Sequence, residues 1–266
     1  MRSRLYGAVL SLSGVVLLAG AQIFLVSVPN SNAQAGSSQA DNNIHAAVAN
    51  SLKKSDFQGV RISVSNGVVD LEGTVKNFDT KVDAEKRVNR IKQVQAVRNQ
   101  LKIAGAGEVP DQKLQQQIIQ KLQYDRVGYG NAFNAISVNV NNGGVATLSG
   151  HALGPVAADS ALSLVSRFPG VTDVINNISI DPLSPMDDRS RLQLYRAIYG
   201  FPQLNKYALD PAQPIRIVVA NGHVILEGVV LSQADKDIAG IRAKGVPGIF
   251  SVTNNLQVAN QPSEKK

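Results

Sequence analysis

The chain has no cysteine and no tryptophan, and only three histidines and two methionines among its 266 residues. Without cysteine there are no disulfides, thiolate metal ligands or thiol nucleophiles, and no acylated cysteine to anchor a lipoprotein. The three histidines, His45, His151 and His223, share no spacing with one another or with carboxylates that would hold a metal. No nucleophile, base and orienting group stand together in the sequence pattern. No glycine-rich loop opens directly into a helix, as a phosphate-cradling loop must. These absences predict a protein that is not an enzyme, with no cofactor, no metal and no nucleic-acid partner.

The longest hydrophobic run lies at the start. Arg2 and Arg4 precede an apolar stretch from Leu5 to Val28, followed by Pro29 and a polar segment ending Asn32-Ala-Gln-Ala35. A basic start, an apolar middle and an A-x-A exit describe a secretory signal. Residues 1–35 are therefore expected to be a signal peptide, and an uncleaved anchor is the alternative, because the stretch is long enough to span a bilayer. Either way the rest of the chain is placed outside the cytoplasm, in the periplasm. Residues 36–42 read as a flexible lead-in, and residues 260–266 as a disordered tail.

The chain is organised around a hairpin that recurs three times. Val60-Arg-Ile-Ser-Val-Ser-Asn-Gly-Val-Val-Asp-Leu-Glu-Gly73 carries Asn-Gly at its centre, the pair that best tolerates the positive φ angles of a type I′ turn. The register then opposes Val64 to Val69 and Ile62 to Leu71 on one face, and leaves Arg61, Ser63, Asp70 and Glu72 on the other. The stretch returns as Ile217–Gly228, and as Val138–Gly150 with a turn one residue longer. The glycine pairs Gly67/Gly73, Gly144/Gly150 and Gly222/Gly228 keep one spacing, and each closing glycine precedes Asn99, Asn176 or Asn254 by the same 26 residues. The unit is triplicated, with a period of about 70–78 residues.

Each unit reads as helix, hairpin, helix, strand. Ile44, Val48 and Leu52 form one helical stripe after Asp41. The second helix is capped by Asn77, by Gly154 with Pro155 at the first turn, or by Ser232 with Asp235 as a capping-box variant. It buries Ala84, Val88 and Ile91 and their counterparts. The fold class is α+β: three tandem αββαβ units, each a three-stranded sheet with two helices on one face. The boundaries expected are 41–105, 110–181 and 187–259, joined by breaker-rich linkers at Ala104–Pro110 and Asp181–Pro185.

This pattern resembles the BON domain (bacterial osmotically inducible protein and nodulation domain). The likeness rests on the hairpin with its two glycines and on the strands Val97-Arg-Asn-Gln-Leu-Lys-Ile103 and Val252-Thr-Asn-Asn-Leu-Gln-Val258. It implies the αββαβ fold, export, absence of catalysis, and association with phospholipid or other envelope components, in the manner of periplasmic osmotic-stress proteins.

The candidate sites fall into two groups. Gly67, Gly73, Asn99, Gly144, Gly150, Asn176, Gly222, Gly228 and Asn254 are expected to specify the fold: the glycines by positive φ or close packing, the asparagines by pointing inward and bonding backbone. Lys81, Lys86, Arg87 and Arg90 line one side of the second helix of unit one, where cations could meet lipid phosphates. Charge favours the outer units: 11 bases against 7 acids in 41–105, 4 against 6 in 106–183, and 10 against 7 in 184–266. The connection after the first helix lengthens from unit one to units two and three, and these loops hold Tyr124, Tyr129, Phe133, Tyr199, Phe201 and Tyr207. Of these, Tyr199, Phe201 and Tyr207 are candidate partner contacts. The function expected is an exported, non-enzymatic protein that binds an anionic phospholipid membrane or envelope proteins under stress. The alternative is a periplasmic chaperone or scaffold using the aromatic loops. The outward face of the third hairpin, with Val218, Ala220 and Ile225, is expected to be covered.

Overall fold

The computed structural model describes residues 31–124, 131–182 and 184–259, with side chains from Ser38 onward. The signal segment before Ser31, Tyr129 and the tail after Ala259 lie outside the described residues. Among the described residues there are six α-helices and three mixed sheets, arranged as three repeated units.

Unit one runs α1 (Ser31–Ser51), β1 (Val60–Ser65), β2 (Val68–Val75), α2 (Phe78–Asn89), β3 (Ala96–Asn99) and β4 (Lys102–Ile103). β1 and β2 are antiparallel, with Val64 opposite Val69 and Ile62 opposite Leu71, as the turn predicts. The last strand runs parallel to β2 and breaks into two pieces. Unit two comprises α3 (Asp111–Tyr124), β5 (Ala135–Asn141), β6 (Val145–Ala152), α4 (Pro155–Ser166) and one unbroken last strand, β7 (Asp173–Ile180). Unit three comprises α5 (Pro185–Tyr199), β8 (Ile215–Ala220), β9 (His223–Val230), α6 (Gln233–Lys244), β10 (Ser251–Asn254) and β11 (Gln257–Val258). In every unit the second hairpin strand is central and buries side chains against the helices: Val69 and Leu71, Ala146 and Leu148, Val224 and Leu226; in unit three β8 is buried as well, at Ile215, Ile217, Val218 and Val219. Each fully buried aliphatic side chain contributes about 1.5–3 kcal/mol relative to exposure.

Residues 36–42 are not a loose lead-in but part of α1. Nothing in Ser-Asn-Ala-Gln-Ala-Gly-Ser-Ser-Gln-Ala interrupts a helix as proline would, and the segment continues backwards from a stretch anchored by Ile44 and Val48.

The hairpin turns have the backbone their residues imply. Asn66 and Gly67, and Asn221 and Gly222, have φ of 50° and 76° and of 51° and 75°. The longer turn of unit two places Asn142, Gly143 and Gly144 at positive φ in succession. Gly73, Gly150 and Gly228 combine φ of 113°, 101° and 117° with close packing. A β-carbon on any of them would overlap a carbonyl oxygen at the start of the partner strand, of Gly59, Ala135 or Pro214.

A carboxylate from the opening helix clamps each turn. Asn66 and Gly67 both donate their backbone N–H to Asp41, at 2.8 Å each. Gly143 and Gly144 donate to Asp111 at 3.1 and 2.9 Å, and Asn221 and Gly222 to Asp187 at 2.8 and 2.9 Å. A tight turn leaves these amides without ladder partners, and the ionised carboxylate accepts both. The aspartate also fixes where the helix stripe begins: Ile44, Val48 and Leu52 follow Asp41 at the same offsets as Leu114, Ile118 and Leu122 follow Asp111.

Asp111→Ala should therefore destabilise the protein by about 2–3 kcal/mol, since two turn amides lose a charged acceptor. Urea unfolding would measure this. A change below about 0.5 kcal/mol, the range of ordinary surface substitutions, would show that the clamp is not energetically important.

Candidate functional site

The asparagines of the last strand divide two to one. Asn99 donates Nδ2 to the Lys81 carbonyl and to Glu85 of α2, both at 3.0 Å, while its Oδ1 accepts from Leu101 N at 3.3 Å. Asn254 repeats this with the Lys236 carbonyl at 2.7 Å and Leu256 N at 3.3 Å. Asn176 does not point inward: it is exposed and keeps only the short-range bond from Ile178 N, at 3.1 Å. The helix position that is Glu85 in unit one and Gly240 in unit three is Leu162 in unit two. Glu85 supplies a carboxylate and Gly240 leaves space that a β-carbon would take from Asn254; Leu162 does neither. In all three units the asparagine oxygen occupies an amide near the sheet edge, which blunts pairing with another strand.

One of the four cations of the unit-one cluster, Arg87, is engaged. Arg87 donates Nε to Asp83 at 2.8 Å and lies over the Phe57 ring at 5.5 Å. Lys81 is half-buried above the carbonyl that Asn99 uses. Lys86 lines a groove facing α4 of unit two. Arg90 is exposed beyond the end of α2. The four do not form one open stripe.

Tyr199 and Tyr207, expected as partner contacts, are core residues instead. Tyr199 is 2% exposed; its hydroxyl donates to the Ile215 carbonyl at 2.6 Å and accepts from Ile215 N at 3.1 Å. Burial drives its pKa well above that of a free tyrosine, so the hydroxyl stays protonated. Phe201 is half-buried under Arg242, whose guanidinium lies 4.9 Å from the ring centre. The long loop of unit three thus folds onto its own unit because it carries aromatics large enough to extend the core. Tyr124 remains exposed, and Phe133 packs against Tyr195 of unit three.

Tyr207 belongs to a polar anchor that sequence reading missed. Asp235 is fully buried and accepts from Tyr207 Oη and Lys206 Nζ at 2.8 Å and from Gln203 Nε2 at 3.3 Å. It is less a capping residue than the post to which the 203–207 segment is tied; Ser232 alone caps α6, accepting from Asp235 N at 3.1 Å. Burial by itself would raise the Asp235 pKa, but the bonds from Lys206, Tyr207, Ser232 and Gln203 outweigh it and hold it at about 2. Burial, with the adjacent carboxylate adding to it, pushes Tyr207 up to about 12. A carboxylate depressed on folding stabilises above its unfolded pKa and loses that contribution as pH falls through the folded value. Asp235→Asn should cost on the order of 2 kcal/mol at pH 7, and the difference from the parent should close as pH falls from about 4 to about 2. Denaturation at stepped pH checks this; a pH-independent gap would refute the carboxylate's role.

An amphipathic surface opens on the helical face of unit three. On α5, Arg189, Leu192 and Arg196 are exposed; on α6, Ile241, Arg242 and Lys244 are exposed. Leu192 and Ile241 leave 53% and 67% of their area in solvent. Arg196, Ile241, Arg242 and Pro247 line a shallow groove between the two helices that contains no acidic side chain. Arg242 is partly committed, donating Nε to the Ala197 carbonyl at 3.2 Å. Of the nearest acids on these helices, Asp188 pairs with Arg191 at 2.7 Å, while exposed Asp237 accepts only a neutral amide, from Gln233 at 2.8 Å, and keeps its charge. Arg189, Arg196 and Lys244 form no ion pair within the described residues. The signal in the sequence was the basic excess of residues 184–266, which did not reveal which cations share a face. Among the described residues no group of three or more His, Asp or Glu could hold a metal, and no helix is long and apolar enough to cross a membrane.

Comparison with solved structures finds the C-terminal domain of CdsD, a structural protein of the type III secretion system of Chlamydia trachomatis. It is 16% identical over 80% of this chain and 96% of that one, with a TM-score of 0.25. The periplasmic domain of the type III secretion inner-membrane protein PrgH from S. typhimurium is 10% identical over 78% and 97% of the two chains, with a TM-score of 0.21. Superpositions this poor say nothing about function or unit arrangement. No curated protein matches the chain in sequence. The BON domain profile matches three times, over residues 40–105, 110–182 and 203–260. The third match starts after α5, the helix followed by the longest connection. With the triplicated αββαβ architecture and these matches over most of its length, the chain belongs to the BON domain family.

Proposed function

We propose that the protein is an exported, non-enzymatic adaptor of the cell envelope that docks on anionic phospholipid through the helical face of unit three. The observation that carries this reading is that the paired helices α5 and α6 expose Leu192 and Ile241 together with the cations Arg189, Arg196 and Lys244, and that the groove between them, which Arg196 and Ile241 line, holds no acidic side chain. Apolar side chains enter the headgroup boundary while surrounding cations meet lipid phosphates, which is how a surface-lying helix pair holds a membrane without crossing it. Each near-surface cation contributes about 1 kcal/mol at an anionic bilayer. The basic, apolar, A-x-A N-terminal segment supports export to the periplasm. Membership of the BON family supports an envelope role in which the units bind surfaces or partners. The burial of Tyr199 and Tyr207 takes two of the loop aromatics from the surface that a chaperone role would use.

Vesicle flotation tests the reading directly. The protein without residues 1–35 should float with phosphatidylglycerol-containing vesicles, less so as salt is raised, and not with pure phosphatidylcholine. Arg189→Glu, Arg196→Glu and Lys244→Glu together should abolish flotation. Lys86→Glu with Arg90→Glu should leave most of it intact. Flotation lost in the Lys86/Arg90 variant but kept in the unit-three variant would move the docking face to unit one; equal flotation of the two variants, or absence of parent flotation from anionic vesicles, would overturn the proposal.

A further inference from the structure

The two joints between the three units are built differently. At the second joint, Asp181 is 3% exposed and faces both neighbours. Its Oδ1 lies 3.1 Å from His151 Nδ1 on β6, and its Oδ2 3.4 Å from Arg191 Nη2 on α5. Arg191 is equally buried and also donates to the Val219 carbonyl of β8 at 2.6 Å. The Asn131–Phe133 turn of unit two lies against β8. There, Ala132 N donates to Gln213 Oε1 at 3.2 Å, and Gln213 Nε2 donates to Tyr195 Oη at 3.1 Å. Ala132, 1% exposed, is counted within the hydrophobic core of unit three, and Phe133 packs on it. The core of unit three therefore takes in residues supplied by unit two.

The first joint differs. The core of unit one contains only its own residues, and that of unit two begins at Val109. Among the described residues α2 and α4 are joined by a polar contact from Arg167 Nε to Asp79 Oδ2 at 3.0 Å, between side chains 64% and 45% exposed. Beside it is an open groove of about 440 Å³ with Phe78, Val82, Leu162 and Asn176 on its walls. Exposed pairs of this kind add little to stability, whereas a buried pair is intolerant of losing one partner. The connecting segment turns through Gly105 and Gly107, both at positive φ.

We infer that the chain has two mechanical parts and not three: units two and three are one body, latched by Asp181 between His151 and Arg191, and unit one is a second body tethered by residues 104–110. This assignment does not depend on the membrane reading. It does imply that the docking face of unit three carries unit two with it in a fixed pose while unit one can reorient.

The absence of cysteine makes the test clean, because introduced cysteines are the only labelling sites. Ser63, Asn177 and Thr253 are exposed in units one, two and three. Spin-label distance distributions would be recorded for Ser63→Cys with Asn177→Cys, and for Asn177→Cys with Thr253→Cys. The second pair should give one narrow distribution and the first a several-fold broader one. Equal widths for the two pairs would overturn the two-body assignment without need of any destabilising variant. Asp181→Asn should broaden the 177–253 distribution toward that of the 63–177 pair, with far-ultraviolet circular dichroism unchanged; an unchanged width would overturn the latch. If Asp181→Asn does not fold, His151→Ala, at a half-exposed side chain, serves in its place with the same two outcomes.

Discussion

The unsatisfied amides of a tight turn constrain everything else in this fold. Each hairpin closes through residues at positive φ, and such a turn points two adjacent N–H groups away from the ladder. In all three units an aspartate from the opening helix accepts both of them. The bond ties the helix to the far end of the hairpin, and the helix can then lie along the first strand with its apolar stripe over the sheet. In unit three the arrangement is most enclosed. Asp187 is 2% exposed, and although burial alone would raise its pKa, the Gly222 and Asn221 amides and the Arg191 charge bring it below the usual carboxylate range.

The same position four residues after the clamp has been used to different ends. In unit two Gln115 accepts from the Val140 amide at 3.0 Å. In unit three the corresponding residue is Arg191, which reaches the equivalent strand at the Val219 carbonyl and extends to Asp181 of the linker. One substitution pattern within a repeated frame thus turns a local helix–strand contact into an inter-unit bond. The lengthened loops show a similar divergence. The Asn131–Phe133 segment covers the neighbouring unit, whereas the 203–207 segment is tied down on its own unit by Asp235. Aromatic content alone could not separate these outcomes, because both loops carry large apolar rings, and which surface each ring meets depends on where the next unit sits.

The surface left over is polar on unit one, where Arg61 faces Glu72 and Arg98 faces Asp70 across the sheet, and amphipathic on the helices of unit three. On the helix that looked most cationic in the sequence, Asp83 and Phe57 hold Arg87, while Lys86 faces a groove toward unit two and Arg90 lies beyond the helix end. A less conspicuous set, split between two helices of unit three, converges because α5 and α6 lie side by side on the sheet.

By itself the sequence determined the unit and its repetition: Asn-Gly turns, the closing glycines and the apolar alternation are local rules, and local rules act within a few residues. Register, capping at Asn77 and Ser232 and the helical stripes all follow from them. Tertiary structure alone decided the long-range matters. It paired Asp41, Asp111 and Asp187 with turns more than twenty residues away, turned Tyr199 and Tyr207 inward, left Asn176 outside beside Leu162, and joined units two and three through Asp181. Each depends on which side chain meets which across the packed layers, and no spacing along the chain encodes that.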